Sequence, residues 1–170
     1  MDLATARADR RWSVPDLVAL GDAVSRWGPV WEQSLGVAAS TYGGRPGAAY
    51  LAAAVALVRP GAESPMESRT RVVLVTAGLP EPELNQDIFS ATGAWLGRVD
   101  MLWRRARIVG EYEGDGHRSE RRRWRADIER VRRMEAAGYR VIRITADDLA
   151  TTRSREELVA LVRHTLGELG

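Results

Sequence analysis

Asp100, Glu111, Glu113 and His117 are the side chains of this sequence whose types and spacing could carry a reaction. Asp100 lies in Arg98-Val99-Asp100-Met101-Leu102-Trp103 and the two glutamates in Ile108-Val109-Gly110-Glu111-Tyr112-Glu113, and both stretches read as strands. If Arg104 to Arg107 closes a four-residue hairpin loop, Trp103 pairs with Ile108, and counting back along the ladder sets Asp100 opposite Glu111. Directly opposed strand residues hold their Cβ atoms about 4.5–5.5 Å apart, and alternation puts Glu113 on the same face as Glu111. Two carboxylates at that range repel by roughly 4 kcal/mol at an effective dielectric near 20. A fold that places them together needs a compensating cation, and a divalent metal is the simplest one. Magnesium and manganese take such oxygen ligands together with a substrate phosphate, and an ion held this way polarises a phosphodiester, helps to ionise water and stabilises the leaving oxygen. His117, in the glycine-rich loop that begins at Gly114-Asp115-Gly116, could take a proton from that water or donate to a phosphate.

The elements that must position these groups follow from the pattern around them. From Ser64-Pro65-Met66-Glu67, a Ser N-cap, a first-turn proline and a glutamate at the third position open a helix through Val72, Val73 and Val75 to Gly78, read as a capping box. Glu67 is explained by that cap, although the same helix end could aim its carboxylate toward a metal. Glu83 to Phe89 is a first strand, Ser90 to Gly93 a turn, Trp95 to Trp103 the second strand and Arg107 to Glu113 the third. After the loop, an arginine-rich helix runs to Ala137 with Gly138 as its cap. Tyr139 to Ile144 is a fourth strand, and a Ser154-x-x-Glu157 box opens a terminal helix. The order α-β-β-β-α-β-α is a mixed α/β layer architecture. Residues 1–60 read as a helical extension: a run from Val14-Pro15-Asp16 stopped by Gly28-Pro29, a segment from Val30 to Ala39, and an alanine-rich helix from Ala48 to Val58. Its tryptophans, Trp12, Trp27 and Trp31, read as packing. The domain division expected is therefore 1–60 and 61–170.

Composition narrows the chemistry. The 170 residues contain no cysteine, which excludes disulfides and thiolate sites, and no lysine, so any metal must be held by oxygen or by His117 and His164, and no step can use a lysine. His164, in the terminal helix, reads as structural or solvent-facing. The longest apolar run, Ala48 to Val58, is far short of the roughly 18–20 residues that span a bilayer, and Met1 to Arg7 lacks the apolar run of a secretory signal. A cytoplasmic protein without a membrane span is the expectation.

Between Arg118 and Arg133 eight arginines stand against three acids, Glu120, Asp127 and Glu129. Trp124, Ile128 and Val131 fall at i, i+4 and i+7, one apolar stripe with arginines around the remainder. Such clusters recognise phosphate backbones. Arg98, Arg118, Arg121, Arg122 and Arg125 are the arginines assigned to DNA.

The stretches Glu63-Ser64-Pro65-Met66-Glu67-Ser68-Arg69, Ala77-Gly78-Leu79-Pro80, Arg98-Val99-Asp100, Glu111-Tyr112-Glu113-Gly114 with His117, and Ala137-Gly138-Tyr139-Arg140-Val141-Ile142-Arg143 carry a family resemblance. From about Arg59 to Leu149 the chain resembles the Domain of Unknown Function 559 proteins, relatives of the very-short-patch-repair (Vsr-like) endonucleases in the PD-(D/E)XK nuclease superfamily. The resemblance implies a restriction-endonuclease-like mixed sheet flanked by helices. It also implies metal ligation by Asp100 and Glu111 with the Tyr112 carbonyl nearby, support from Glu67, and a loop histidine at His117 that Asp127 orients. Members of the superfamily often carry a lysine two residues after the acid of the third strand. Glu113 occupies that slot here, which moves the activation of water onto the metal, Glu113 or His117. Longer relatives carry a further N-terminal module of winged-helix character, of which residues 1–60 resemble only the tail, so sequence readout would be weak or supplied by a protein partner.

The activity expected is that of a magnesium-dependent DNA endonuclease or nickase, manganese substituting, which leaves 5′-phosphate and 3′-hydroxyl ends and uses no small-molecule cofactor. A non-catalytic DNA-binding or antitoxin-like regulator that keeps the nuclease fold is the alternative. A third is a domain of a larger assembly whose helical N-terminus docks on another protein.

Overall fold

The structure, a computed structural model, describes residues 13–26, 28, 30–114 and 121–167, with backbone alone for 30–32 and 121–124. His117 and Arg118 lie outside the described residues, as do Trp12 and Trp27 and the side chains of Trp31, Arg121, Arg122 and Trp124. The chain forms two compact units, residues 1–78 and 79–170.

The first unit is helical: α1 (Val14–Ser25), α2 (Val30–Thr41), α3 (Ala48–Leu57) and α4 (Pro65–Thr76). Ser13 caps α1 in a reciprocal box with Asp16, the Ser13 N–H donating to Asp16 Oδ2 at 3.0 Å. Val14, Val18, Ala54 and Val72 form the core between α1, α3 and α4. This packing is why the compact units divide after Gly78, and not at residue 60 where the change in composition falls. The start of α4 departs from the expected box in one respect. Ser64 Oγ accepts the Glu67 N–H at 3.2 Å, but Glu67 Oε2 reaches past the cap residue to the Glu63 N–H at 2.7 Å.

The helical unit also buries an ion pair that no local pattern announces. Arg71 and Asp22 are both buried, Arg71 Nη2 donating to Asp22 Oδ2 at 2.9 Å and to the Leu57 carbonyl at 2.7 Å, while Asp22 Oδ1 accepts the Arg59 N–H at 2.8 Å. Burying two charges is costly unless their hydrogen-bonding capacity is met. The backbone groups of Leu57 and Arg59, at the end of α3, contribute to meeting it.

The second unit is a four-stranded mixed sheet in the order β1 (Glu83–Phe89), β2 (Trp95–Trp103), β3 (Ile108–Glu113), β4 (Arg140–Thr145), with α5 (Arg121–Ala136), α6 (Ala146–Ala150) and α7 (Thr152–Gly167). β1, β2 and β3 are antiparallel neighbours joined by tight turns. β3 and β4 are parallel, so the chain must cross over, and α5 is the crossover. The mixed α/β class and the four strands expected along the chain are those observed. α5 packs on the sheet through Met134, which is buried with Ile88, Leu96, Val99, Leu102 and Val109. Ile128 and Val131 of the expected stripe are half-buried, and Met134, one turn further on, is the anchor.

One cap is additional to those expected and one differs from expectation. Thr145 and Asp148 form a box that opens the short α6, Asp148 Oδ2 accepting from both the Thr145 N–H at 2.7 Å and its hydroxyl at 2.8 Å. The box at α7 is Thr151 with Ser154, each backbone N–H donating to the other's hydroxyl at 3.0–3.1 Å, so Ser154 closes the box as its third residue and Glu157 pairs with Arg153 instead.

Candidate functional site

The β2–β3 ladder runs Trp103↔Ile108, Leu102↔Val109, Met101↔Gly110, which is the register that the four-residue hairpin loop predicts. Its next step brings the chain to Asp100 and Glu111. There the ladder gives way to a side-chain contact: Asp100 Oδ2 accepts the Tyr112 N–H at 2.8 Å. Asp100 therefore ties the end of β2 to β3, with its carboxylate beside the Glu111–Glu113 strand. β1 is irregular at the same level. Between the pairs Leu84↔Met101 and Gln86↔Val99, buried Asn85 adopts a left-handed backbone at φ 49°, at the position that faces Asp100.

Glu111 is buried, and α5 delivers its partner. Arg130 grips both of its carboxylate oxygens, Nη1 to Oε1 and Nη2 to Oε2, each at 2.6 Å. The same Nη2 donates to Asp127 Oδ1 at 2.9 Å, and Nη1 reaches the Arg98 carbonyl at 3.5 Å. Arg143, from β4, extends the chain of charges, its Nη2 lying 2.5 Å from Asp127 Oδ2 and its Nη1 bonding Glu113. Glu111, Arg130, Asp127, Arg143 and Glu113 thus form one continuous network of alternating charge. A backbone device lets α5 come close enough. Gly97 has φ +152°, and a Cβ there would stand 2.9 Å from Met134 Cε and 3.4 Å from Arg130 Cδ.

The electrostatics follow from this geometry. Burial alone would raise the Asp127 carboxyl, but the hydrogen bonds and charges of Arg130 and Arg143 outweigh it and hold it below the ordinary carboxylate range. Burial likewise disfavours the Arg130 and Arg143 cations, and their carboxylate partners more than restore them, so both stay protonated.

The structure thus brings together Asp100, Glu111, Glu113 and Asp127 on the sheet unit, and it supplies two partners that sequence reasoning missed, Arg130 and Arg143. Carboxylates set this close need a cation to offset them, and guanidinium groups meet that need. As arranged, the carboxylates do not fit a resident divalent ion. Both Glu111 oxygens and the Glu113 and Asp127 carboxylates are engaged by arginine, and among the described residues no three His, Asp or Glu side chains are grouped to hold a metal. Asp127, expected to orient His117, is taken up by the two arginines. Tyr112 is half-buried and paired with Ile144 of β4. Glu67 belongs to the helical unit, where its carboxylate serves the start of α4.

Of the arginines assigned to DNA, Arg125 is exposed on α5, and Arg98 is half-exposed, 3.7 Å from Asp87. His164 is exposed on α7. No helix among the described residues is long and apolar enough to cross a membrane.

No family model and no solved structure matches the chain. Two curated proteins of Mycobacterium tuberculosis, "Uncharacterized protein MT2308" and "Uncharacterized protein Rv2248", are each 34% identical to it over 88 residues, 52% of this chain and 32% of theirs. The match therefore spans about a third of the length of these relatives.

Proposed function

We propose that the chain acts on DNA in the cytoplasm as an endonuclease or nickase, hydrolysing phosphodiester bonds to 5′-phosphate and 3′-hydroxyl ends. The observation that carries the reading is the β2–β3 register, which sets Asp100 beside the Glu111–Glu113 strand under an arginine-rich helix. Acids clustered on core strands conflict with simple patterning, and such conflicts mark functional positions. Asp100, Glu111 and the Tyr112 carbonyl are the groups that would hold magnesium, or manganese in its place, once the Arg130 fork on Glu111 has opened, and such an ion would then supply the activation of water and of the phosphoryl group. Arg98 and Arg125, with Arg118, Arg121 and Arg122 of the neighbouring segment, are the phosphate contacts of the proposal. Targeting would come from a protein partner.

One observation favours a second reading. The carboxylates of the third strand are already neutralised by Arg130 and Arg143, as they would be in a nuclease fold retained for DNA binding or antitoxin-like regulation without hydrolysis. Nicking of supercoiled plasmid separates the two. With magnesium or manganese, the wild type is expected to convert supercoiled DNA to open circles, and Asp100→Ala and Glu111→Gln to fail. A wild type inert with both ions over a broad salt range, yet binding DNA with an affinity that falls steeply with salt, assigns the regulator instead.

A further inference from the structure

A metal was the simplest answer to the carboxylates of β3, and the structure answers them with arginine. Arg130 meets both oxygens of Glu111 at 2.6 Å, a fork-to-fork pair of the strong, charge-assisted kind. The Nη2 that meets Glu111 is also held by Asp127 Oδ1 at 2.9 Å, and Gly97 lets the aliphatic stem lie against the sheet. Glu111 is buried, so little solvent competes for its oxygens.

We infer that Arg130 is the built-in cation of Glu111, and that while the fork is closed the site excludes divalent ions. An octahedral magnesium ion needs carboxylate oxygens at about 2.0–2.1 Å, a place that the guanidinium nitrogens deny it. A second positive charge brought to the same carboxylate would also meet Arg130 at close range in a poorly solvated setting, where like charges repel strongly. Arg143 adds to that barrier by holding Glu113 and the other oxygen of Asp127. The inference concerns the carboxylates of the proposed hydrolysis and rests on that reading for its place in function, but its test reads ion binding and not cleavage.

The test is manganese binding to the full chain, by calorimetry and by the loss of the free-ion electron paramagnetic resonance signal, for the wild type, Arg130→Gln and Arg130→Lys. Arg130→Gln removes the charge and the fork and is expected to bind manganese about tenfold more tightly or better. Arg130→Lys keeps a charge without the fork and should fall between the two. The gain should vanish when Glu111→Gln is added to Arg130→Gln. Circular dichroism shows whether each variant is folded, and should Arg130→Gln unfold, the comparison of Arg130→Lys with the wild type decides alone. Equal affinity in the wild type and the folded arginine variants, or a gain that survives Glu111→Gln, overturns the inference. Plasmid nicking with no effect of Arg130 on ion binding would sink the inference and leave the nuclease reading standing. The reverse pattern would do the opposite.

Discussion

Arg130 and Asn85 show how much a single side chain decides here. Arg130 converts what would be a repulsive pair of acids into a network in which Glu111, Asp127 and Glu113 alternate with two guanidiniums. Because Asp127 is held below its usual pKa of about 3.8, the network adds stability that is complete above that value and is lost as pH falls through the lower, folded-state pKa. Thermal melts taken from neutral pH down to pH 3 should therefore show a smaller acid loss in Asp127→Asn than in the wild type. Asn85 carries the other constraint. A left-handed backbone costs most residues about 1–2 kcal/mol, and Asn and Gly bear it best. Asn85→Val should lower unfolding stability by at least about that amount, and Asn85→Gly by much less, measured by urea denaturation. The positions of the carboxylates were readable from sequence, because hairpin length and strand alternation are local. The arginines were not. Arg143 reaches Glu113 and Asp127 only because β4 lies parallel to β3 with Glu111↔Arg143 in register, and nothing local to either strand specifies that match.

At the scale of elements, α5 joins core to site. Met134 anchors it in the apolar cluster, and one turn earlier Arg130 is thereby aimed at Glu111. Gly97 sits beneath both, with a backbone that L side chains rarely adopt. Gly97→Ala is expected to cost about 1–3 kcal/mol, since its Cβ would stand 2.9 Å from Met134 Cε on a backbone that L side chains rarely adopt, and to loosen the Arg130–Glu111 pair, seen as a lower melting temperature together with faster amide exchange in α5. The helix was readable from its arginines and capping glycine. Its anchor, Met134, lies one turn beyond Val131, past the end of the stripe expected from Trp124, Ile128 and Val131. α6 was missed because a helix of five residues has too little periodicity to register, and only its Thr145–Asp148 cap marks it. In the helical unit, α1 and α4 share the buried Arg71–Asp22 pair. Asp22→Ala leaves Arg71 as an uncompensated buried cation and should destabilise by about 3–5 kcal/mol, whereas joint replacement by Asp22→Leu and Arg71→Met should recover much of the loss. Chemical denaturation of the two variants checks it.

Over the whole molecule, a helical unit and a mixed-sheet unit divide the chain, and the candidate chemistry lies on the second. The fold class was legible because strands, turns and caps follow one another in an order that admits few layer architectures. The boundary between units was less so, since α4 follows the change in composition yet buries Val72 with Val14, Val18 and Ala54. The proposed activity is a property of the whole chain on DNA, and cleavage of a labelled duplex measures it most directly. With manganese and excess protein, strand breaks that leave 5′-phosphate and 3′-hydroxyl ends are expected, and they should disappear in Asp100→Asn. A duplex that stays intact under those conditions, or one that Asp100→Asn cuts as fast as the wild type, would contradict it.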